Sequence, residues 1–347
     1  MPASAHAADI AAHQLSQSIS RKMAGSFQKA MDMLSQARSV AVVCHIHPDA
    51  DAIGAASAMV MALRQRGVPA VATYGEDALP AKSLLTIPGW DSFVNMRELP
   101  ATIDTWVTVD CASPDRLGAL SERILASDRV INVDHHNTNT QYATINMVDI
   151  HSESSTMVLL DFFEVWGIKL TTEMAHALYA GLLTDTASFQ FGRSRMHTAA
   201  ARLLDKGLSP RAIGADLLDN HPFEYLPFLG RVLATAEREI SWGGGAGLVH
   251  VTVSYEDQES VGHDEVEAVV DVVRTTNDTD VTVVMKEYER GYWTVSLRSV
   301  AKVDVSAVAL ALGGGGHLRA AGFSFRGSRE ELLAALLSTS DVAEATR

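Results

Sequence analysis

Three short β-branched runs, Ser39–Cys44 (SVAVVC), Thr105–Val109 (TWVTV) and Arg129–Val133 (RVINV), each pass directly into a turn that carries acid or imidazole. The first enters Cys44-His45-Ile46-His47-Pro48-Asp49-Ala50-Asp51-Ala52-Ile53-Gly54, the second Asp110-Cys111, and the third Asp134-His135-His136-Asn137. Between them, Ala52–Arg66 has helical spacing and is stopped by Gly67, Val68–Thr73 reads as another strand, and Leu117–Ala126 is helical. Strands separated by helices of this length predict right-handed βαβ crossovers and a mainly parallel sheet flanked by helices. In an open α/β sheet of this kind, ligands bind outside the carboxyl ends of the strands. The polar turns are therefore expected to meet at one edge.

After Asp149 the pattern becomes helical over Ser154–Trp166, Thr172–Thr184, His197–Lys206 and, past Asn220-His221-Pro222, Phe223–Arg238. Ser155–Trp166 (STMVLLDFFEVW) is apolar on almost every side, which implies deep packing or a subunit contact. A second βα pattern opens at Gly243-Gly244-Gly245, with a strand at Leu248–Val253, a helix at Glu265–Arg274 and a hairpin turned at Arg290-Gly291. A short helix near Ser306–Leu312 leads into four glycines and His317, then a strand at Phe323–Phe325 and a terminal helix. The 347 residues suit about two domains. The expected division is a tail at 1–22, a catalytic domain at 23–209, a helical linker at 210–240, and a smaller α/β domain with a mixed sheet at 241–347.

The formal charge of −14 argues against a track for long nucleic acid, which needs basic surface. It does not argue against a short phosphate ligand, because carboxylates that gather a cation reverse the local field. No apolar run approaches the length of a membrane span; Met157–Phe163 is interrupted by Asp161. The first 20 residues contain no Lys or Arg, unlike a secretory signal. With only two cysteines, Cys44 and Cys111, a reducing, cytoplasmic setting is expected.

His45, Asp49 and Asp51 follow a strand end, where a turn can aim one imidazole and two carboxylates at one point. That donor set suits Mn²⁺ or a similar borderline cation, whereas thiolates favour zinc or iron. A surface turn rich in Asp is the plainer reading of this segment alone. Asp110 and Asp134-His135-His136 raise the odds of a site, since helix capping does not explain three successive polar strand ends. Asp185, in Gly181-Leu182-Leu183-Thr184-Asp185-Thr186, ends an apolar helix and needs a partner if it is to stay ionised. A cation would serve, and so would a turn capped through Thr186.

Taken in order, His45-x-x-x-Asp49-x-Asp51, Asp110, Asp134-His135-His136 and Asp185 resemble the four motifs of the DHH phosphoesterases. Gly313-Gly314-Gly315-Gly316-His317-Leu318-Arg319-Ala320-Ala321-Gly322 is similar to the signature of their associated C-terminal domain. The short two-domain length is similar to the NrnA-type branch, which degrades very short oligonucleotides and dephosphorylates 3′-phosphoadenosine 5′-phosphate; some relatives act on linear dinucleotides such as pApA or on cyclic di-AMP. The resemblance implies two Mn²⁺ per subunit, with Co²⁺ or Mg²⁺ as substitutes. His45, Asp49 and Asp110 would hold one ion, and Asp51, Asp110, His135 and Asp185 the other, with Asp110 as the bridge. A bridging hydroxide would attack phosphorus in line. Asp134 would orient an imidazole, His136 would face the phosphate or the leaving oxygen, and His47 would not be a ligand. The amides of Gly313–Gly316, including Gly314, Gly315 and Gly316, would form an anion nest, with His317, Arg298 and Ser299 beside it. Between Ser299 and Asp304 the chain lacks the Lys-Gly turn that relatives often carry. A homodimer acting on short nucleotides is the expected assembly. A pyrophosphatase with the same first half, or a nucleotide sensor that does not hydrolyse, are the rival readings.

Overall fold

The computed structural model describes residues 23–219 and 221–346. The expected tail at 1–22 lies outside the described residues. The chain divides into two compact units after Asp219.

In the first unit, β1 (Val40–Cys44), β2 (Ala70–Tyr74), β3 (Thr105–Val109), β4 (Val130–Asp134) and β5 (Ile145–Val148) form one sheet ordered β2-β1-β3-β4-β5. Every neighbouring pair is parallel. β1, β3 and β4 are buried at all positions, as parallel strands covered on both faces must be, and this is why they read as continuous apolar runs. These three strands are neighbours in the sheet, so their polar turns begin side by side. β5 has no counterpart in the sequence pattern; it is four residues long and buries only alternate positions.

Among the described residues, the α-helices of this unit are α1 (23–35), α2 (Ala50–Gln65), α3 (Ser121–Leu125), α4 (Ser155–Trp166), α5 (Thr172–Asp185), α6 (Ser194–Leu204) and α7 (Pro210–Gly214). Asp49 caps α2 by accepting the Ala52 amide at 3.0 Å. α2 and α5 meet backbone to backbone, since a Cβ on Gly54 would stand 2.3 Å from the Ala177 carbonyl oxygen. Gly181 is equally constrained, for its Cβ would lie 2.4 Å from Asp51 Oδ1. Gly54 thus admits the neighbouring helix. α4 buries Ser155–Leu160, Phe162 and Phe163 inside this unit. Phe162 meets Phe27 edge on at 5.3 Å. Burial accounts for its apolar composition, so this helix gives no argument for a subunit contact.

The second unit is a mixed sheet of β6 (Glu237–Glu239), β7 (Leu248–Val253), β8 (Val281–Glu289), β9 (Tyr292–Ser299), β10 (Gly315–His317) and β11 (Ala320–Arg326), ordered β10-β11-β9-β8-β7-β6. Only β7 and β8 pair in parallel. One core contains Met285, Val295, Leu297 and Phe323 with Val305, Val308 and Leu332. Another contains Val251, Val253 and Val284 with Phe228, Val232, Val266 and Val269. The stretch 210–240 is not a separate linker. Ile213 is buried in the core of the first unit, whereas Tyr225, Phe228 and Val232 are buried in the second.

Candidate metal centre

His45 follows β1, and its Nε2 lies 3.3 Å from Asp110 Oδ2 and 3.8 Å from Asp49 Oδ2. Its Nδ1 is 2.8 Å from the Ile46 carbonyl and 3.0 Å from Arg116 Nη2, so Nε2 is the ring nitrogen that faces the carboxylates. Asp110 follows β3 in the left-handed region (φ 56), a conformation that Asp tolerates better than most residues. Its Oδ1 is 3.7 Å from His135 Nε2, 3.6 Å from His136 Nδ1, and 2.9 Å from the donating Ser155 hydroxyl. Asp110 is common to three groups whose candidate ligand atoms lie within 4.8 Å of one another: His45–Asp49–Asp110, Asp51–Asp110–His135, and Asp110–Asp134–His136.

Asp51 is fully buried in the first turn of α2. Its oxygens accept the Ser155 amide at 2.6 Å and the Thr156 amide and hydroxyl at 3.0 and 2.6 Å, all from the N-terminus of α4. Asp185 ends α5, one turn beyond Gly181, and its Oδ2 is 3.1 Å from His135 Nε2. The other face of His135 approaches the Ser152 carbonyl through Nδ1 at 3.3 Å. After Asp185 the backbone turns left-handed at Ala187, Ser188 and Phe189. Thr186 holds that turn by accepting the Phe189 amide at 3.0 Å and donating to the Leu182 carbonyl at 2.6 Å.

Asp134 is wholly buried and receives the His135 amide (2.9 Å), His136 Nδ1 (2.7 Å) and Asn139 Nδ2 (2.6 Å). These donors occupy its oxygens and fix the His136 ring. His47 points elsewhere: its ring is 72% exposed and pairs with Glu76 at 3.3 Å.

The electrostatics register a surplus of negative charge. Burial disfavours the His45 imidazolium, yet hydrogen bonding to Asp110 and Asp49 pushes its pKa up to about 10. His135, facing Asp185, and His136, facing Asp134 and Asp110, are likewise raised against burial. Burial, with Asp185 and Asp110 opposite, pushes Asp51 well above the usual carboxylate range. Four carboxylates competing for imidazole protons form an environment that a divalent cation would neutralise. The donors are oxygen and imidazole; Cys44 and Cys111 are buried, and burial raises both thiols. The residues present therefore fit Mn²⁺, Mg²⁺ or Co²⁺ better than a thiophilic ion.

In the second unit the structure revises two expectations. Ser299 is 5% exposed; its hydroxyl donates to the Val303 carbonyl at 2.6 Å and accepts from Arg319 at 3.1 Å, so it closes a loop instead of facing a ligand. Strand alternation places Arg298 on the opposite face, where it is half-buried. The glycine run is not an open nest. Gly313 (φ 81) and Gly314 terminate the Val305–Ala311 helix by donating to Leu310 and Ala309 carbonyls at 3.1 and 2.8 Å. Gly315–His317 is strand β10, paired with Ala320–Gly322. The 300–303 turn, which lacks the expected glycine, is organised by Asp280, whose carboxylate accepts the amides of Ala301, Lys302 and Val303 at 2.7–3.0 Å. Sequence reasoning missed Asp280, and it also missed Ser155 and Thr156; each has an ordinary local pattern and acquires its role from a distant chain segment.

The profile of the DHH family, N-terminal domain, matches residues 39–182, and that of the DHHA1 domain matches residues 246–341. The chain thus carries a DHH N-terminal domain followed by a DHHA1 domain, the pairing of a metal-dependent phosphoesterase. Its relatives include the bifunctional oligoribonuclease and PAP phosphatase NrnA of Thermus thermophilus, 29% identical over 288 residues, covering 82% of this chain and 84% of the relative. The cyclic-di-AMP phosphodiesterase GdpP of Geobacillus thermodenitrificans is 26% identical over 312 residues, covering 83% of this chain but 44% of that longer protein. Among solved structures, an exopolyphosphatase-related protein from Bacteroides fragilis shares the fold with a TM-score of 0.82 at 20% identity, covering 92% of this chain and 98% of that one. Among the described residues, no helix is long and apolar enough to cross a membrane.

Proposed function

We propose that this enzyme hydrolyses phosphate esters of short nucleotides at a centre for two divalent cations. The observation that carries the reading is the position of Asp110, within ligand reach of both His45–Asp49 and Asp51–His135. His45, Asp49 and Asp110 would hold one cation, and Asp51, Asp110, His135 and Asp185 the other. Cations there would supply Lewis acidity toward phosphoryl oxygens and make water a better nucleophile at neutral pH. Ser155 and the α4 amides keep Asp110 and Asp51 in place, so the carboxylates need little reorganisation. His136, with Nδ1 held by Asp134 at 2.7 Å, would present Nε2 to a phosphate or leaving oxygen. Arg298, half-buried on the face of β9 opposite Ser299, would offer charge to a substrate phosphate. Likeness to NrnA supports short oligoribonucleotides and 3′-phosphoadenosine 5′-phosphate as substrates, likeness to GdpP brings in cyclic di-AMP, and the reading extends to the linear dinucleotide pApA. The working ion in this reading is Mn²⁺, and the enzyme acts as a cytoplasmic homodimer.

The test is a turnover panel of 3′-phosphoadenosine 5′-phosphate, pApA, cyclic di-AMP, a short RNA and pyrophosphate, run before and after chelation and again with added Mn²⁺. Hydrolysis of the short nucleotides should vanish and return. Cleavage of pyrophosphate alone, or binding with no product, overturns the reading in favour of a pyrophosphatase or a sensor. Light scattering checks the dimer.

A further inference from the structure

A second feature of the first unit lies beside the metal motif but belongs to none of its ligands. At the carboxyl end of β2, Tyr74, Glu76, Asp77, Trp90, Phe93 and Asn95 line a cavity of about 150 Å³, several times the ~30 Å³ share of one water. Trp90 and Phe93 stack at 4.7 Å with planes 21° apart, and the Tyr74 ring stands at 52° to Phe93. The result is a stacked aromatic pair with a third ring set at an angle to it. The rim is polar. Asn95 donates to Asp77 Oδ1 at 3.2 Å, and Arg97 pairs with the other Asp77 oxygen, so the carboxylate is neutralised yet keeps lone pairs to accept further N–H groups.

The walls are fixed before any ligand arrives. Tyr74 Oη donates to the Ala78 carbonyl at 2.7 Å, and Thr73 Oγ1 donates to the Val94 carbonyl at 2.8 Å. The Val94 amide donates to the Ala72 carbonyl at 2.9 Å, holding the Phe93 segment alongside β2. The cavity is also tied to the metal motif. Tyr74 is in register with Cys44, the residue before His45, one strand spacing away (about 4.8 Å). Glu76 accepts the His47 amide at 2.5 Å and pairs with the His47 ring.

From the flat rings, the acceptor-lined rim and the position next to His45, we infer that this cavity takes a nucleobase of the substrate. The inference rests on the short-nucleotide reading above and adds a specificity determinant to it. Stacking on the outer ring of this pair, Trp90 in this reading, suits any base. The carboxylates at the rim accept from the exocyclic amino group of adenine or guanine, whereas uracil carries carbonyl oxygens at its exocyclic positions and offers only its ring N3–H. A preference for amino-bearing bases follows.

The test uses the full chain loaded with Mn²⁺ and compares AMP, UMP and ribose 5-phosphate as inhibitors of dinucleotide hydrolysis. AMP should bind about tenfold or more tightly than ribose 5-phosphate, the scale expected for one stacked base, and UMP should fall between them. Trp90→Ala should remove most of the AMP advantage while leaving ribose 5-phosphate inhibition unchanged. Because Trp90 also packs on the core, Trp90→Phe serves as the folded companion. It keeps a ring and should retain most of the advantage. If the wild type hydrolyses dinucleotides but AMP and ribose 5-phosphate inhibit equally, the base subsite is wrong and the phosphoesterase reading stands. The subsite is equally wrong if the AMP advantage survives Trp90→Ala undiminished. If the wild type cleaves no short nucleotide, the parent reading fails instead.

Discussion

The carboxylate of Asp51 accepts both the backbone amide and the hydroxyl of Thr156, at 3.0 and 2.6 Å. A residue of α2 thus satisfies the first turn of α4, whose amides would otherwise lack partners. Donors at a helix N-terminus favour the charged carboxylate and oppose the burial that raises its pKa. Thr156→Val removes the hydroxyl while keeping a branched side chain of similar shape. The chelated variant should lose about 1–3 kcal/mol in urea denaturation, because Asp51 forfeits a buried partner. Mn²⁺ affinity measured by calorimetry should fall about 10–100-fold, the usual cost of losing a group that orients a ligand. Unaltered affinity would assign Thr156 to the fold alone.

Asp110→Asn tests the shared ligand. The substitution keeps shape but removes the negative charge of a group facing His45, His135 and His136. Bound metal, counted by elemental analysis after gel filtration, should drop from two per chain. Turnover of pApA should fall by more than about 100-fold, beyond the loss expected for an orienting residue. Two retained ions with full turnover would remove Asp110 from the bridging position.

The architecture of the first unit is legible in the sequence because parallel strands buried on both faces leave unbroken β-branched runs, as at Val40–Cys44 and Thr105–Val109. Polar residues at their ends then stand out, and the structure brings His45, Asp49, Asp51, Asp110, His135 and Asp185 together. What stays hidden depends on partners far along the chain. Ser155 and Thr156 look like ordinary N-terminal helix residues until α4 is set against Asp51, 104 and 105 positions away. The place of Ser299 is hidden for a similar reason: a strand-end hydroxyl shows no sign of which face it occupies, and Arg319 and Val303 decide that. The glycine run illustrates the same limit, because close approach, helix termination and anion binding all select glycine, and only contacts separate them.

Glu267 and Lys286 form an asymmetric pair in the second unit. Lys286 is 4% exposed, with Nζ 2.6 Å from both Glu267 oxygens and 2.9 Å from Ser296 Oγ. The Glu267 side chain is 40% exposed and can be solvated alone. Glu267→Gln strands a buried ammonium and should cost about 3–5 kcal/mol near neutral pH. Lys286→Met removes the buried charge and should be nearly neutral, within about 1 kcal/mol. Burial lowers the Lys286 pKa, and loss of Glu267 removes the attraction that opposes burial. In Glu267→Gln, the unfolded chain then binds more protons than the folded one as pH rises toward the ordinary lysine pKa of about 10.4. Its stability should therefore recover with rising pH. Urea midpoints for both variants from neutral to mildly alkaline pH provide the measurement; equal losses, or a loss in Glu267→Gln that deepens with pH, would contradict the asymmetry.

Within the glycine run, the fold explains three members and leaves one unexplained. Gly313 needs its left-handed φ of 81. A Cβ on Gly314 would stand 2.1 Å from the Gly322 carbonyl oxygen, and one on Gly316 would stand 2.5 Å from the Ala321 Cα. Gly315 has no neighbour within 4 Å of a Cβ and no positive φ, so packing does not demand glycine there. Gly314→Ala should cost about 1–3 kcal/mol or more, since backbone must move to admit the methyl group. Gly315→Ala should leave stability within about 0.5 kcal/mol, as surface substitutions usually do. If a substrate phosphate approaches the β10 backbone, Gly315→Ala should raise KM for pApA without changing the denaturation midpoint or the bound metal. Wild-type KM in Gly315→Ala would place the phosphate elsewhere, and a fall in stability equal to that of Gly314→Ala would show that the fold requires this glycine as well.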